Sequence, residues 1–271
     1  MQENLDFVWL STVNEVLYQG LLTKPRGQLT REVPHRTTIV DMRYPVLTIP
    51  ERKLSYRFMA AEAYWILSGD DRVETIAPYN KNISQFSDDG KTFYGAYGPK
   101  IRDQLRYVVE KLKADPDTRQ AGLTIWRENP IETKDVPCTI AIWFQRRHNK
   151  LITHVFMRSS DVWLGLPYDT FNFSMLSHLV CGHMNQELKL AEEGSLITPG
   201  ALYLTAASCH LYQRDWLGAK RCLEATALKQ TCEPTPDTWF MDPRMLMQDL
   251  AELRLTKRGD AARWWEGEDH G

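Results

Sequence analysis

The chain has 271 residues, 43% of them hydrophobic and 25% charged, with a formal net charge of −2. That size and balance suit one large globular domain with a sizeable core, and they carry no basic surplus of the kind nucleic-acid binding needs. No apolar run reaches the roughly 18 residues that span a bilayer, and MQENLDFVWL lacks the basic start and apolar core of a signal peptide. Cysteines at 138, 181, 209, 222 and 232 are an odd set without CxxC spacing, which points to neither a disulfide framework nor a zinc site. A reducing cytoplasm is the expected location, with no membrane or nucleic-acid partner.

Leu5 to Leu17 carries apolar residues at helical spacing and stops at Gly20. TKPRGQLTREVPHRTT, residues 23–38, is polar with two prolines and is expected to be a loop. Helical spacing returns from Arg52 to Ser68, before Gly69-Asp70. Ile101, Leu105, Val108, Val109 and Leu112 mark another helix, closed by Asp115-Pro116. Then AGLTIW (121–126), CTIAIWFQ (138–145), LITHVFM (151–157) and ALYLTAA (201–207) are short β-branched or aromatic runs between polar turns, hence strands. The runs at 138–145 and 151–157, joined by RRHNK, predict a hairpin. Thr170 to Met184 predicts a helix buried on most sides, and Asp215 to Leu228 a more amphipathic one. There is no repeat, low-complexity tract or Gly/Ser linker, and no strict βαβ rhythm. The expectation is an α+β domain with a mostly antiparallel or mixed sheet.

Cys138, after Pro137 at the start of a strand, fits either a small buried hydrophobe or a nucleophile held as thiolate by a nearby cation. Arg158, at the exit of the paired strand, is a candidate for that cation. Glu62 lies within the apolar stripe of its helix, with Phe58 four residues before it and Trp65 and Ile66 after it. It could cap or pair structurally, but a desolvated Glu has a raised pKa suited to proton handling. His178 and His183, five apart on a helix, point about 140° from each other and cannot share a metal ion. His210 and Tyr212, after a small-residue strand, could place two polar heads at a pocket. Arg119 in DPDTRQ is by default a solvated surface residue.

Set together, PRGQ, EAYWILSGD, YGAYG, DPDTRQ, VPCT, MRSSDVWLGLPYD and HLY, in that order from about Arg26 to Asp215, resemble thymidylate synthase and its hydroxymethylase relatives. The resemblance implies one catalytic domain over residues 1–271, in a three-layer α+β fold with a large mixed sheet and sheets packed back to back in a homodimer. It also implies a pyrimidine nucleotide substrate, 5,10-methylenetetrahydrofolate as one-carbon donor, and no metal. By the same resemblance, Cys138 is the nucleophile that adds to pyrimidine C6 and makes C5 nucleophilic, while Glu62 organises water and relays protons. Arg158 and Ser159 would bind phosphate, with Arg158 also favouring the thiolate. Arg119 would reach the phosphate across the dimer interface, and Arg26 in the PRGQ loop would be a fourth contact. His210 and Tyr212 would bind sugar hydroxyls, Tyr97 would line the pocket wall, and Asp161 would contact the pterin.

Several positions depart from the synthase pattern. Cys138 is followed by Thr139 in place of His, Met157 stands before Arg158-Ser159 in place of Gln, and Asp169 replaces the pyrimidine-reading Asn. These three changes resemble the deoxycytidylate hydroxymethylase branch. Gln120 stands for a second phosphate arginine, Ile83 and Phe86 fall in the segment that bears an indole near the folate, and RWWEGEDHG does not match the carboxy-terminal lid. Uracil offers an O4 acceptor and an N3–H donor, which a carboxamide matches; cytosine reverses both, and a carboxyl with a shared proton can answer it. Asp169 could instead cap a helix beginning near Thr170. The expected activity is 5-hydroxymethylation of a cytidine nucleotide, dCMP favoured. The CMP version, a dUMP-methylating synthase and a non-catalytic nucleotide-binding regulator are the alternatives.

Overall fold

The computed structural model describes residues 4–188, 196–225 and 233–256. Helix α1 (Leu5–Gln19) starts where the Asn4 side chain accepts from Phe7 N–H, 3.1 Å, and stops at Gly20. A Cβ at residue 20 would lie 2.4 Å from the Val16 carbonyl, so only glycine fits that close exit. After β1 (Leu21–Thr23) comes β2 (Thr30–Asp41), then α2 (Tyr56–Leu67), capped by Ser55, and the short α3 (Val73–Ile76). Helix α4 (Tyr97–Ala114) leads to β3 (Gly122–Thr124), β4 (Thr139–Arg147), β5 (Lys150–Met157) and the two-residue β6 (Ser160–Asp161). The 22-residue α5 (Leu166–Glu187) precedes β7 (Thr198–Tyr212), and α6 (Trp216–Glu224), α7 (Thr238–Met241) and α8 (Pro243–Leu253) follow.

The sheet order is β1-β2-β7-β5-β4-β3, with β6 also on β7. Its neighbours are antiparallel except that β7 runs parallel to β5 and β6, because α5 carries the chain back across the sheet. The expected α+β class with a mixed sheet is what the chain adopts. So is the hairpin: Arg147 faces Lys150 across a turn in which His148 has φ 51°.

Helix α5 lies against β5 and β7, and α2 and α8 pack on α5 and on each other. The result is a sheet layer, a buried helical layer and an outer helical layer. The apolar surround of α5 accounts for its weak amphipathicity: Phe171, Phe173, Met175, Leu176 and Val180 are all buried. His178, in the same helix, is a core residue. Its ring bonds the Ser174 carbonyl and the Thr235 hydroxyl at 2.7 and 2.8 Å, and burial pulls its pKa down to about 4.

Three expectations need correction. Residues 23–38 are not a loop: β2 occupies most of them, paired with β7 from Thr30↔Tyr212 to Asp41↔Ala201. Its polar sequence fits because, beyond the short pairing with β1, β7 is its one partner among the described residues; an edge position also tolerates Pro34. Second, α5 starts at Leu166, not near Thr170, since Gly165 is the residue before its first turn and Pro167 stands at the second helical position. Third, the helix expected over 215–228 covers Trp216–Glu224, and residues 226–228 lie outside the described set.

Candidate active site

Cys138 sits immediately before β4, where a register shift between Thr139 and Ala141 marks a bulge. Bulges re-aim neighbouring side chains. Thr139 is fully buried, and its N–H and hydroxyl both donate to the Tyr97 hydroxyl, 3.2 and 3.0 Å. Tyr97, at the first turn of α4, in turn stacks on Phe173 of α5 with ring centroids 6.3 Å apart. The residue after the cysteine therefore ties the start of β4 to the wall of the cleft.

Arg158 is clamped to the same segment. Its Nε donates to the Pro137 carbonyl and Nη2 to the Val136 carbonyl, each 2.9 Å, while its backbone N–H donates to the Cys138 carbonyl, 2.9 Å. Nη2 stands 3.7 Å from Cys138 Sγ, and Ser159 Oγ stands 3.9 Å from the same sulfur. Arg158 pulls the thiol pKa down as expected, but burial has the larger effect and leaves it above the ordinary thiol value.

The cleft itself holds about 150 Å³ of free space, lined by Glu62, Tyr97, Asp135, Asp169 and Asn172 together with Trp65, Ile83, Phe86 and other apolar groups. Glu62 is only half-buried by area, yet its carboxyl is enclosed by protein, and that burial lifts its pKa to about 7. Asn172 Nδ2 donates to Glu62 Oε2, 2.8 Å, which partly offsets the lift. Asp169 is held well above the ordinary carboxylate range, by burial first and then by the charges of Glu62 and Asp161. Loss of water and mutual repulsion push both carboxyls toward their protonated forms. The α5 start makes no side-chain cap hydrogen bond, so Asp169 is not the cap of this helix. Gly165 faces it instead, and a Cβ there would come 3.1 Å from Asp169 Oδ2.

The remaining expected residues form a second cluster. The pairing of β6 with β7 sets Asp161 opposite His210, so Arg158 and Ser159 lead directly to the strand end that bears His210 and Tyr212. The rings of His210 and Tyr212 meet edge to face at 5.2 Å. Arg26, in a left-handed conformation at φ 49°, donates from Nη2 to the Tyr212 hydroxyl, 3.3 Å. Asp161 Oδ1 accepts the N–H groups of Trp163 and Leu164, 2.8 and 2.9 Å, which fixes the carboxylate at the turn before α5. Arg119 stands apart. It is exposed in the turn before β3, and among the described residues no hydrogen bond or ion pair joins its side chain to the Cys138 cluster. Ile83 and Phe86 do line the cleft, whereas RWWEGEDHG lies outside the described residues.

Two cleft residues escaped the sequence reading, Asn172 and Asp135. A lone amide in the apolar run TFNFSML, three residues after Asp169 and so on the same helix face, was the available signal for the first. A carboxylate three residues before the cysteine was the signal for the second.

Comparison with known proteins identifies the family. The chain is 32% identical over 238 residues to the deoxyuridylate hydroxymethyltransferase of Bacillus phage SP01, covering 79% of this chain but 58% of that protein's length. The family model described as thymidylate synthase matches residues 8–242. A match across most of the chain, over the segments that build the cleft, shows that the chain belongs to the thymidylate synthase family.

Proposed function

We propose that residues 1–271 form a single catalytic domain that 5-hydroxymethylates a cytidine nucleotide, dCMP in preference to CMP, with 5,10-methylenetetrahydrofolate as the one-carbon donor. Cys138 adds to C6, C5 attacks the folate-borne carbon, tetrahydrofolate leaves, and water adds to the exocyclic methylene that remains at C5. Covalent addition is needed because C5 of a neutral pyrimidine is too weak a nucleophile by itself. Arg158, Ser159 and Arg26 bind the phosphate, His210 and Tyr212 the sugar, and Asp161 the pterin. Glu62, near its midpoint at neutral pH, relays protons.

The observation that carries the choice of base is the Asp169 carboxyl enclosed in the cleft wall, where burial pushes it toward the protonated form. As a neutral acid it accepts from the cytosine N4 amino group and donates to N3. When Cys138 adds at C6, N3 becomes more basic and takes the proton. The carboxylate left behind then accepts from both N3–H and N4–H in a charge-assisted pair. With uracil the electron pair is pushed to O4, a weaker base than the cytosine N3, so the acid gives up its proton less readily. Discrimination therefore falls on the transition state, where it affects rate.

A second reading has its own support: the phage relative's name specifies deoxyuridylate, and a neutral carboxylic acid can also meet uracil in its ground state. Incubating the protein with dCMP, CMP or dUMP and methylenetetrahydrofolate separates these readings by product identity, and dihydrofolate absorbance separates hydroxymethylation from methylation.

The enzyme acts as a homodimer in a reducing cytoplasm. Supporting the dimer is the sheet face away from α5, where Ile39, Phe156 and Ile140 are 41, 43 and 39% exposed around the stacked His154–Tyr203 pair. Covering that face with a second copy would bring a partner's Arg119 toward the phosphate.

A further inference from the structure

Hydration of the exocyclic methylene requires a base that can take a proton from water beside that carbon, and Glu62 is not the one best placed. Its Oε2 is already engaged by Asn172, and its burial favours the protonated form until about neutral pH. Asp135 lines the same cleft, in the irregular segment three residues before Cys138 and the start of β4. In the covalent intermediate only C6 and C5 separate the Cys138 sulfur from the methylene carbon. The Asp135 carboxyl thus belongs to the wall of the cleft in which the methylene is to be hydrated.

The Asp135 carboxylate is also a built feature. Its Oδ2 accepts the Gly95 N–H at 2.7 Å, and its own N–H donates to Thr133 Oγ1 at 3.1 Å. Thr133 and the N–H of Lys134 are both held by Asp88. Residue 95 must be glycine for this approach: a Cβ there would stand 2.4 Å from the Asp135 carbonyl and 3.0 Å from Oδ2. One carboxylate oxygen is thus anchored and, among the described residues, the other has no hydrogen bond; the residue lines a cleft walled by Ile83, Phe86 and Phe93.

Resting on the hydroxymethylase reading, we infer that Asp135 is the general base that delivers water to the exocyclic methylene. The water oxygen bonds to the methylene carbon as its proton passes to the free Asp135 oxygen. The exocyclic double bond becomes C5=C6, and the C6–S bond breaks with its electron pair on Cys138. The proton then returns from Asp135 to the thiolate or to solvent, so no oxidant or reductant is consumed. Burial raises the pKa of Asp135, which strengthens it as a base once ionised.

Asp135→Asn keeps an oxygen for the Gly95 N–H but removes the base. The nucleotide that the wild-type enzyme turns over is supplied with methylenetetrahydrofolate, and three rates are followed: C5 hydrogen exchange, tetrahydrofolate release in a single turnover, and hydroxymethyl product. The expected result is exchange and release within a few fold of wild type, with hydroxymethyl product slowed about 10²- to 10⁴-fold. Added 2-mercaptoethanol should capture the stranded methylene as a thioether. Hydroxymethyl product at the wild-type rate would overturn the assignment, leaving Asp135 as an anchor for Gly95. Loss of exchange in parallel with product would also overturn it, in favour of a structural role. A wild-type enzyme that yields methylated product and dihydrofolate overturns the inference together with the reading beneath it, and the wild-type arm alone identifies that case.

Discussion

Asp169→Asn exchanges one atom group in a side chain that Gly165 leaves room for, so packing is preserved and base preference becomes the readout. The substitution removes the proton that cytosine N3 takes as Cys138 adds, and it removes the charge-assisted pair that follows. An amide can rotate to present oxygen to N4–H and NH₂ to N3, so ground-state binding of dCMP survives in part. Losing a positioned acid costs typically about 10² to 10⁴ in rate. On the other side, uracil keeps its pairing, because an amide meets N3–H and O4 as the neutral acid did. The ratio of kcat/KM for dCMP over dUMP should therefore fall at least about 10²-fold, or roughly 2.7 kcal/mol. The assay is kcat/KM for dCMP, CMP and dUMP with wild type and variant, each checked for a cooperative thermal transition. If Asp169 served only as a negative charge in the first turn of α5, the variant would lose about 0.3–1 kcal/mol of stability and keep its base preference. An unchanged preference would refute the base-reading argument.

Cys138→Ser should abolish turnover and C5 hydrogen exchange while leaving nucleotide binding largely intact, because a hydroxyl is far less ionised than a thiol; exchange that persists would contradict the assignment. Glu62→Gln should slow turnover about 10²- to 10⁴-fold, and a wild-type rate would reduce Glu62 to a structural carboxyl. The same variant has a stability signature. The Glu62 pKa is raised on folding from an ordinary 4.5 to about 7, so the native state holds the proton more tightly than the unfolded chain. Its ionisation penalty is absent below pH 4.5, grows as pH rises through that window and is complete above about 7, where it amounts to about 3 kcal/mol. Denaturant melts should accordingly show Glu62→Gln gaining on wild type between pH 5 and pH 8, the range about the two pKa values; a constant difference would mean the carboxyl is not desolvated. Mixing Arg119→Ala chains with Cys138→Ser chains should restore activity in verified heterodimers, since one hybrid site has neither defect, and no recovery would mean that each subunit builds its own phosphate site.

What could be read from the sequence was what local pattern determines. The β4–β5 hairpin followed from two β-branched runs around a polar turn, and the buried character of α5 from its unbroken apolar run. Glu62 stood out because a carboxylate inside an apolar stripe must be answered by something. Strand β2 was missed because TREVPHRTTIVD has little strand pattern, and its conformation comes from pairing with β7 far along the chain. The start of α5 was misplaced because the apolar run after Asp169 is a stronger signal than Gly165-Leu-Pro, although the proline at the second helical position marks the true beginning. Asn172 and Asp135 each left a faint local signal but were missed for the same reason as β2. Asn172 acquires meaning from Glu62 on another helix, and Asp135 from the backbone of Gly95, contacts between residues 110 and 40 positions apart.

The central claim is that water, not hydride, completes the reaction at C5 of a cytosine. Turnover of dCMP with methylenetetrahydrofolate in ¹⁸O-labelled water tests it most directly, with mass analysis of the nucleotide and absorbance of the folate in the same sample. The expected product is a 5-hydroxymethyl cytosine nucleotide carrying one heavy oxygen, together with tetrahydrofolate. A 5-methyl product accompanied by dihydrofolate, or turnover confined to dUMP, would contradict it.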